Sequence, residues 1–178
     1  MKKQLLILSA LFLLLSLTVR AQDKKEIKGK KFKVSLGLDA VLPTGSLGTA
    51  YGFGGGLSLR FLYKITPEFG ATFTTGFDVF PPKNLNSLNS NSKATLNMPF
   101  KLGGRFMFSD NFYGIMEVGS THSIYYYKGI GNNLAHTSGN SFTYAPGIGL
   151  LLGGFDVGLR YEGYGSAGFL GLRMGFFF

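Results

Sequence analysis

The residue types that could pair a nucleophile with a general base occur nearest to one another in sequence around His122. His122 and His136 are the only histidines, and the chain has no cysteine. His122 has Ser123 beside it and Glu117 five residues earlier, which are the residue types of a Ser-His-acid hydrolase acting on lipid. On a strand, however, Ser123 and Glu117 fall on the row opposite to His122, and Ser120, which shares its row, has no acid with it. We therefore predict no catalytic residues and no enzyme.

Metal and cofactor sites are not predicted either. Without cysteine there is no thiolate ligand, and His136 reads as a residue of an ordinary loop. The glycine clusters at 52–56 and 147–149 are not followed by a helical pattern, so they lack the geometry that cradles a nucleotide phosphate. Glycine at every second position instead suits a crowded barrel interior or a bending strand.

Charged residues form the one constellation with a clear physical consequence. They recur at every second position of strand-like segments, on a row that otherwise carries Gly, Ser and Thr. They are Asp39, Arg60, Asp78, Lys101, Arg105, Glu117, Asp156, Arg160, Glu162 and Arg173. Because buried charge is costly unless it is paired, we predict a salt-bridged plug that fills an interior. The alternative is a narrow polar path, lined by the same residues, that conducts small solutes.

The elements that carry this row are eight segments of alternating apolar and polar residues. They span 32–42, 53–64, 71–80, 96–108, 112–126, 142–152, 155–164 and 169–178. Side chains alternate between the two faces of a strand, so each segment has one apolar face and one polar face. A length of about ten residues is what a tilted strand needs to cross a bilayer. The predicted fold is all-β, an eight-stranded antiparallel up-and-down transmembrane β-barrel.

The connections between these segments alternate in length. Short turns are predicted at 66–69, 109–111 and 153–154, where Pro, Asp, Asn and Gly supply turn geometry. Longer connections are predicted at 43–52, 81–93 and 128–141, and a brief one at 165–168. This alternation is typical of barrels with tight periplasmic turns and longer extracellular loops. With eight strands, both ends of the barrel fall on the periplasmic side.

The composition of the polar face decides which face meets lipid. A soluble barrel would carry a denser charged exterior, roughly 25–35% of its surface. An arginine on the lipid side would cost about 2–4 kcal/mol at the midplane, so the charged row must face inward. Aromatic residues near the strand ends predict two interfacial girdles. The loop-end girdle is predicted from Tyr51, Phe53, Phe77, Phe80, Tyr125, Tyr126, Tyr127, Phe142, Tyr144, Tyr161 and Tyr164, and the turn-end girdle from Phe32, Tyr63, Phe69, Phe108, Phe112, Phe155 and 176–178.

The first 21 residues have the pattern of a secretory signal peptide. Lys2 and Lys3 precede an apolar run, and small residues precede Gln22. Removal of residues 1–21 would lower the formal charge from +9 to about +6. We predict a periplasmic leader over 22–31 and the barrel domain over 32–178. The basic surplus after the cleavage point reads as a solvated leader, so no nucleic-acid partner is predicted.

The last strand carries the resemblance to a known class. Its apolar row is Leu170, Leu172, Met174, Phe176 and Phe178, and the chain ends on an aromatic residue. With the signal peptide and the segments 96–102 and 171–178, it resembles the small outer-membrane β-barrel family of Gram-negative bacteria, in particular its PorT-like form, with the architecture of the OmpX and OmpA barrels. The resemblance implies the bacterial outer membrane as location, a monomer, contact with lipid and lipopolysaccharide, and insertion by the barrel-assembly machinery reading the C-terminal row.

These patterns specify an architecture more closely than an activity. The predicted function is a structural or surface-interaction role through the extracellular loops 43–52, 81–93 and 128–141, with an extracellular ligand of unknown identity. Loops 81–93 and 128–141 are rich in Asn and Ser and lack periodicity, and recognition residues often lie on such loops. The alternatives are a narrow small-solute channel and, less favoured by the residues, a lipid-modifying hydrolase.

Overall fold

The computed structural model describes residues 31–83, 92–128 and 133–178, which form a closed barrel of eight antiparallel strands. The signal peptide predicted over 1–21 and nearly all of the predicted leader lie outside the described residues. The elements are β1 (Phe32–Thr44), α1 (Gly45–Ala50), β2 (Gly54–Lys64), β3 (Phe69–Phe80), β4 (Ser92–Met107), β5 (Phe112–Lys128), β6 (Leu134–Leu152), β7 (Phe155–Tyr164) and β8 (Ala167–Phe177). Each strand pairs with its neighbours in sequence, and β8 closes on β1 between Ser35–Phe177 and Thr44–Gly168. The predicted fold class is confirmed.

The two faces of the wall differ as the alternation predicts. Outward apolar side chains are exposed, for example Leu38 at 59% and Leu102 at 65%, whereas inward Arg60 is 3% exposed and Lys101 is fully buried. Such a wall suits lipid outside and a packed polar interior. Closure of the barrel also leaves no open sheet edge, so the strands can satisfy their backbone groups at membrane depth. Within the described residues, no helix is both long enough and apolar enough to cross a membrane.

Short turns join the strands at one end of the barrel, which we call the turn end. At residues 65–68, Phe69 N donates to Thr66 Oγ1 at 2.9 Å, and at 108–111 Phe112 N donates to Ser109 Oγ at 3.2 Å. The third turn contains Gly153 with φ of 68°, a left-handed conformation that glycine adopts without a steric penalty. We call the opposite end the loop end, where the longer connections and the two-residue link 165–166 lie.

The prediction of a loop over residues 128–141 is wrong for most of this range. Residues 134–141 belong to β6, which pairs with β5 from Lys128–Leu134 to Phe112–Leu150. The Asn, Ser and Gly content of this stretch indicated a loop by propensity, but cross-strand contacts override it. His136 lies on a strand rather than in a loop, because it pairs with Tyr126 of β5. The two rings are in contact, with 6.1 Å between their centroids. β4 likewise begins at Ser92, inside the predicted loop 81–93, of which 84–91 lie outside the described residues.

The connection 43–52 folds inward instead of extending away from the barrel. It contains α1, whose Leu47 is 5% exposed, and it ends at Tyr51, which is 8% exposed. Tyr51, Phe80 and Tyr164 were predicted in the loop-end girdle, and this is wrong because all three are buried. Phe80 and Tyr164 occupy inward positions of their strands, so their rings fill the interior.

Candidate functional site

All ten charged residues of the predicted row point into the barrel and are at most 6% exposed. They divide into two layers by height. The turn-side layer comprises Arg60, Arg105, Glu117, Asp156 and Arg173. The loop-side layer comprises Asp39, Asp78, Lys101, Arg160 and Glu162. The two layers are described in turn because their contacts differ.

Asp156 is the centre of the turn-side layer. Arg173 Nη1 donates to its carboxylate at 2.7 Å and Arg60 Nη1 at 3.2 Å, and the Tyr113 hydroxyl donates to its other oxygen. Arg60 also lies 3.8 Å from Glu117. The partners come from three strands, β2, β5 and β8, so this one carboxylate on β7 links four strands across the lumen. Charge-assisted hydrogen bonds of this kind are the strong ones in a dry interior.

Arg160 is the centre of the loop-side layer. One guanidinium contacts Asp39 through Nη1, lies 3.7 Å from Asp78 through Nη2, and lies 3.4 Å from Glu162 through Nε. Lys101 forms an ion pair with Glu162. The layer therefore holds three carboxylates around two cations.

Arg105 differs from the other four cations. Within the part of the chain that the structure describes, no carboxylate lies within ion-pair distance of it. Its guanidinium instead lies over two aromatic rings, 5.1 Å from the Tyr113 centroid and 5.5 Å from the Phe177 centroid. Cation–π contact partly compensates for desolvation, and guanidinium is the cation best suited to it. Phe177 thus belongs to the interior and not to the turn-end girdle.

An apolar lid closes the barrel above the loop-side layer. We define this lid as Val41, Leu47, Tyr51, Phe80, Tyr164 and Phe169, which form one buried cluster. Backbone hydrogen bonds hold α1 over it from both sides: Ser46 N donates to Ser166 O at 3.2 Å, and Lys83 N donates to Ala50 O at 3.1 Å. The sequence interpretation missed this lid. The signal was present, since Val41, Phe80 and Phe169 are apolar residues on otherwise polar inward rows.

We expect the purified protein to show no stable conductance in planar bilayers. The lid and the two charged layers fill the lumen with side chains, as is usual for eight strands. Single-channel recording measures this directly. Recording from a Leu47→Asp variant serves as a comparison, because a charged side chain at this position disrupts the lid while keeping the layers below. Stable unitary currents from the unaltered protein would contradict the expectation.

The residues considered for catalysis do not come together. His122 lies on the outer row, where Nδ1 is 2.8 Å from Asn140 Oδ1, whereas Glu117 and Ser123 are buried inside at 1% and 3% exposure. Ser120 is exposed on the outer row. Among the described residues, no group of three His, Asp or Glu side chains is placed to hold a metal ion.

The C-terminal row lies on the outer wall as one continuous apolar surface. Leu170, Leu172 and Met174 are 42%, 40% and 45% exposed. Phe176 packs against Phe155 and Phe178, with centroid distances of 5.3 and 5.7 Å. The row is therefore accessible from outside along the strand that closes the barrel.

No protein-family model and no curated protein sequence matches the chain. Solved structures do resemble it. Ail, the attachment invasion locus protein of Yersinia pestis, is 15% identical with a TM-score of 0.59, over 83% of this chain and 97% of Ail. The N-terminal β-barrel domain of Pseudomonas aeruginosa OprF is 12% identical with a TM-score of 0.53, over 81% and 97%. Neisserial surface protein A is 12% identical with a TM-score of 0.52, over 83% and 96%. The chain therefore shares its fold with small eight-stranded outer-membrane β-barrels.

Proposed function

We propose that this protein resides in the bacterial outer membrane and binds an extended polypeptide through an open strand edge at its loop end. A signal peptide over residues 1–21 would export the chain, and the C-terminal row from Leu170 to Phe178 would be read by the barrel-assembly machinery. The chain would belong to the PorT-like form of the small-barrel family, as a monomer whose outer wall contacts lipid and lipopolysaccharide. Its proposed role includes no catalytic step.

The observation that carries the proposal is unequal pairing of β6. This strand pairs with β5 from Leu134 to Leu150, but with β7 only from Tyr144 to Leu152. Over residues 134–143, no described strand pairs with its second side. Residues 136–140 are all exposed, so both faces of the strand meet solvent there. Among the described residues, the β5–β6 hairpin thus extends beyond the closed part of the barrel with one unpaired edge.

The composition of this edge fits binding. Natural sheets protect exposed edges with charged residues, especially Lys, or with Pro. Residues 134–143 (LAHTSGNSFT) contain none of these. An unprotected row of N–H and C=O groups can add a strand from a partner, with affinity from backbone hydrogen bonds. The small side chains at 137–141 leave the backbone accessible, which favours an extended peptide as the partner over a rigid folded surface.

We expect proline substitution to separate binding from folding at this edge. The backbone N–H groups of successive strand residues point to opposite sides. One of the two variants Ser138→Pro and Gly139→Pro therefore removes an N–H donor from the unpaired edge, and the other removes an N–H group that donates to β5. The edge-facing variant is expected to keep heat-modifiable migration on gels and to weaken binding by at least about tenfold, since several backbone bonds shift with it. The other variant is expected to lower stability.

The probe for this experiment is a library of random ten-residue peptides panned against the purified protein in detergent. Selected peptides are then titrated against both variants and against the unaltered protein. Selected peptides that bind all three proteins equally would show that the edge is not the binding surface. A library that yields no peptide above background would also contradict the proposal.

A further inference from the structure

The charges outside the barrel interior are divided unequally between its two ends. Residues 31–178 contain seven Asp and Glu residues, and five of them are buried inside the barrel. The other two, Glu68 and Asp110, are exposed in the short turns at the turn end. The segments that form the loop end contain lysine but no Asp or Glu. These segments are 43–53, 81–95, 120–144 and 164–168, and their lysines are Lys83, Lys93 and Lys128.

Two of these lysines lie at the tip of the sheet that carries the edge of β6. Lys128 pairs with Leu134, the first residue of the edge that has no partner strand among the described residues. On the far side of β5, Ser92 pairs with Tyr127, and Lys93 follows at the start of β4. Neighbouring strands are about 4.8 Å apart, so the two backbone positions lie roughly 5 Å and roughly 10 Å from β6. Lysine has a long flexible side chain, and exposed charges interact over about 10 Å at 0.1 M salt. Both positions are therefore close enough for their charges to act on a strand added to β6.

The third lysine is attached to α1. Lys83 N donates to Ala50 O at 3.1 Å, and the Lys83 ammonium group contacts Gly48 O. These carbonyl groups do not neutralise the ammonium charge. Helix α1 is joined in turn to the link between β7 and β8, where Ser46 N donates to Ser166 O at 3.2 Å. Positive charge is thus present on the α1 side of the loop end as well as at the tip of the hairpin.

The edge itself adds no acidic or strongly basic side chain. Residues 134–143 contain no Asp, Glu, Lys or Arg, so the edge neither repels an acidic strand nor neutralises the lysines around it. Backbone hydrogen bonds give affinity for an extended peptide but distinguish poorly between sequences. Complementary charge raises the association rate, and like charge suppresses wrong partners. The lysines around the edge therefore favour acidic peptides over basic ones.

Given the edge-binding role proposed for this protein, we propose that the edge of β6 selects an acidic extended peptide, with Asp or Glu side chains near Lys93 and Lys128. The hairpin tip extends beyond the closed barrel, whereas lipid phosphates surround the wall. A peptide on the edge is therefore the anion best placed to meet these lysines. Exposed ion pairs are individually weak, so the lysines select among peptides while the backbone bonds hold the strand.

Selection from the random ten-residue library measures this preference on the unaltered protein. The library is panned in detergent at about 0.05 M and about 0.5 M NaCl, which changes the range of exposed charges. At the lower salt, we expect Asp and Glu to be about threefold more frequent in selected peptides than in the unselected library. Selected peptides that lose binding to the edge-facing proline variant but show no excess of Asp and Glu would overturn this inference and leave edge binding intact. A library that yields no peptide would instead contradict edge binding itself.

A double variant, Lys93→Gln with Lys128→Gln, tests where the selectivity arises. It is expected to weaken the binding of a selected acidic peptide by about threefold to tenfold, because two exposed ion pairs are lost. A neutral form of the same peptide, with Asn for Asp and Gln for Glu, is expected to bind the variant and the unaltered protein equally. Lys64→Gln is the matched control, since Lys64 is an exposed lysine at the turn end, and we expect it to leave binding unchanged. Heat-modifiable migration on gels shows that each variant is folded.

Three results of these titrations would overturn the inference. The first is equal affinity of the double variant and the Lys64→Gln control for the acidic peptide. The second is full binding of acidic peptides to the edge-facing proline variant, because the peptides would then use the basic surface without the edge. The third is a double variant that binds lipopolysaccharide vesicles more weakly but keeps its affinity for acidic peptides, since the lysines would then serve lipid phosphates.

Discussion

Asp156→Asn is expected to lower the free energy of unfolding by about 3–5 kcal/mol, the largest loss from a single substitution in the interior. The fully buried Asp156 holds Arg173 at 2.7 Å and Arg60 at 3.2 Å, and also accepts from Tyr113. The amide keeps the shape of the side chain but removes its charge. Two buried guanidinium groups then lose their main counter-charge, and the desolvation of both remains uncompensated.

The loss is measured by urea unfolding in detergent micelles. Unfolding is followed by far-UV circular dichroism and by heat-modifiable migration on gels. Asp110→Asn is the control. Asp110 lies exposed in the turn between β4 and β5, so this substitution makes the same chemical change at a site that is not buried. We expect the control to change stability by less than about 0.5 kcal/mol. A similar stability for the two variants would mean that the turn-side layer does not hold the barrel together.

Leu38→Arg is expected to cost about 2–4 kcal/mol, because it places a charge on the lipid-facing wall near the middle of β1. Leu38 is 59% exposed and is flanked by Leu57 on β2 and Met174 on β8, so its surroundings on the wall are apolar. In lipid vesicles the arginine must stay unsolvated or draw water into the hydrocarbon layer. The measurement is equilibrium unfolding from vesicles, compared with the unaltered protein.

Asn111→Arg supplies the matched control for this charge. Asn111 is exposed in a turn at the barrel's end, where an arginine can reach the aqueous interface, so we expect little change. An equal tolerance of both arginines would argue against an acyl-chain environment for the wall. The unaltered protein staying folded and dispersed in buffer without detergent would argue against it more strongly.

The connections predicted to form one extracellular surface have separate structural roles. Residues 43–52 close the lumen, since Leu47 and Tyr51 pack into the lid. Residues 134–141 extend β6 and provide the open edge. In the proposed function, surface recognition belongs to a strand with regular backbone geometry, and such a site is more rigid than a loop. The lid has a different role from this strand, because it separates the charged layers from the loop end.

The sequence by itself determined the architecture and the charged content of the interior. Alternation with period 2 identified eight strands and their short turns, and it distinguished the inward row from the outward row before any contact was known. This works because the side-chain period of a strand is fixed by backbone geometry and the burial of one row is decided by chemistry. The apolar row of β8, from Leu170 to Phe178, was predictable in the same way, since every second residue lies on the outer wall.

Only the tertiary structure decided which charges meet and where the strands end. Asp39 and Arg160 are 121 residues apart in sequence and touch because the barrel closes, and no local pattern encodes that distance. Residues 134–141 read as a loop until pairing with β5 made them a strand. The division of the charges into two layers follows from the contacts that the closed sheet brings about and not from any one segment.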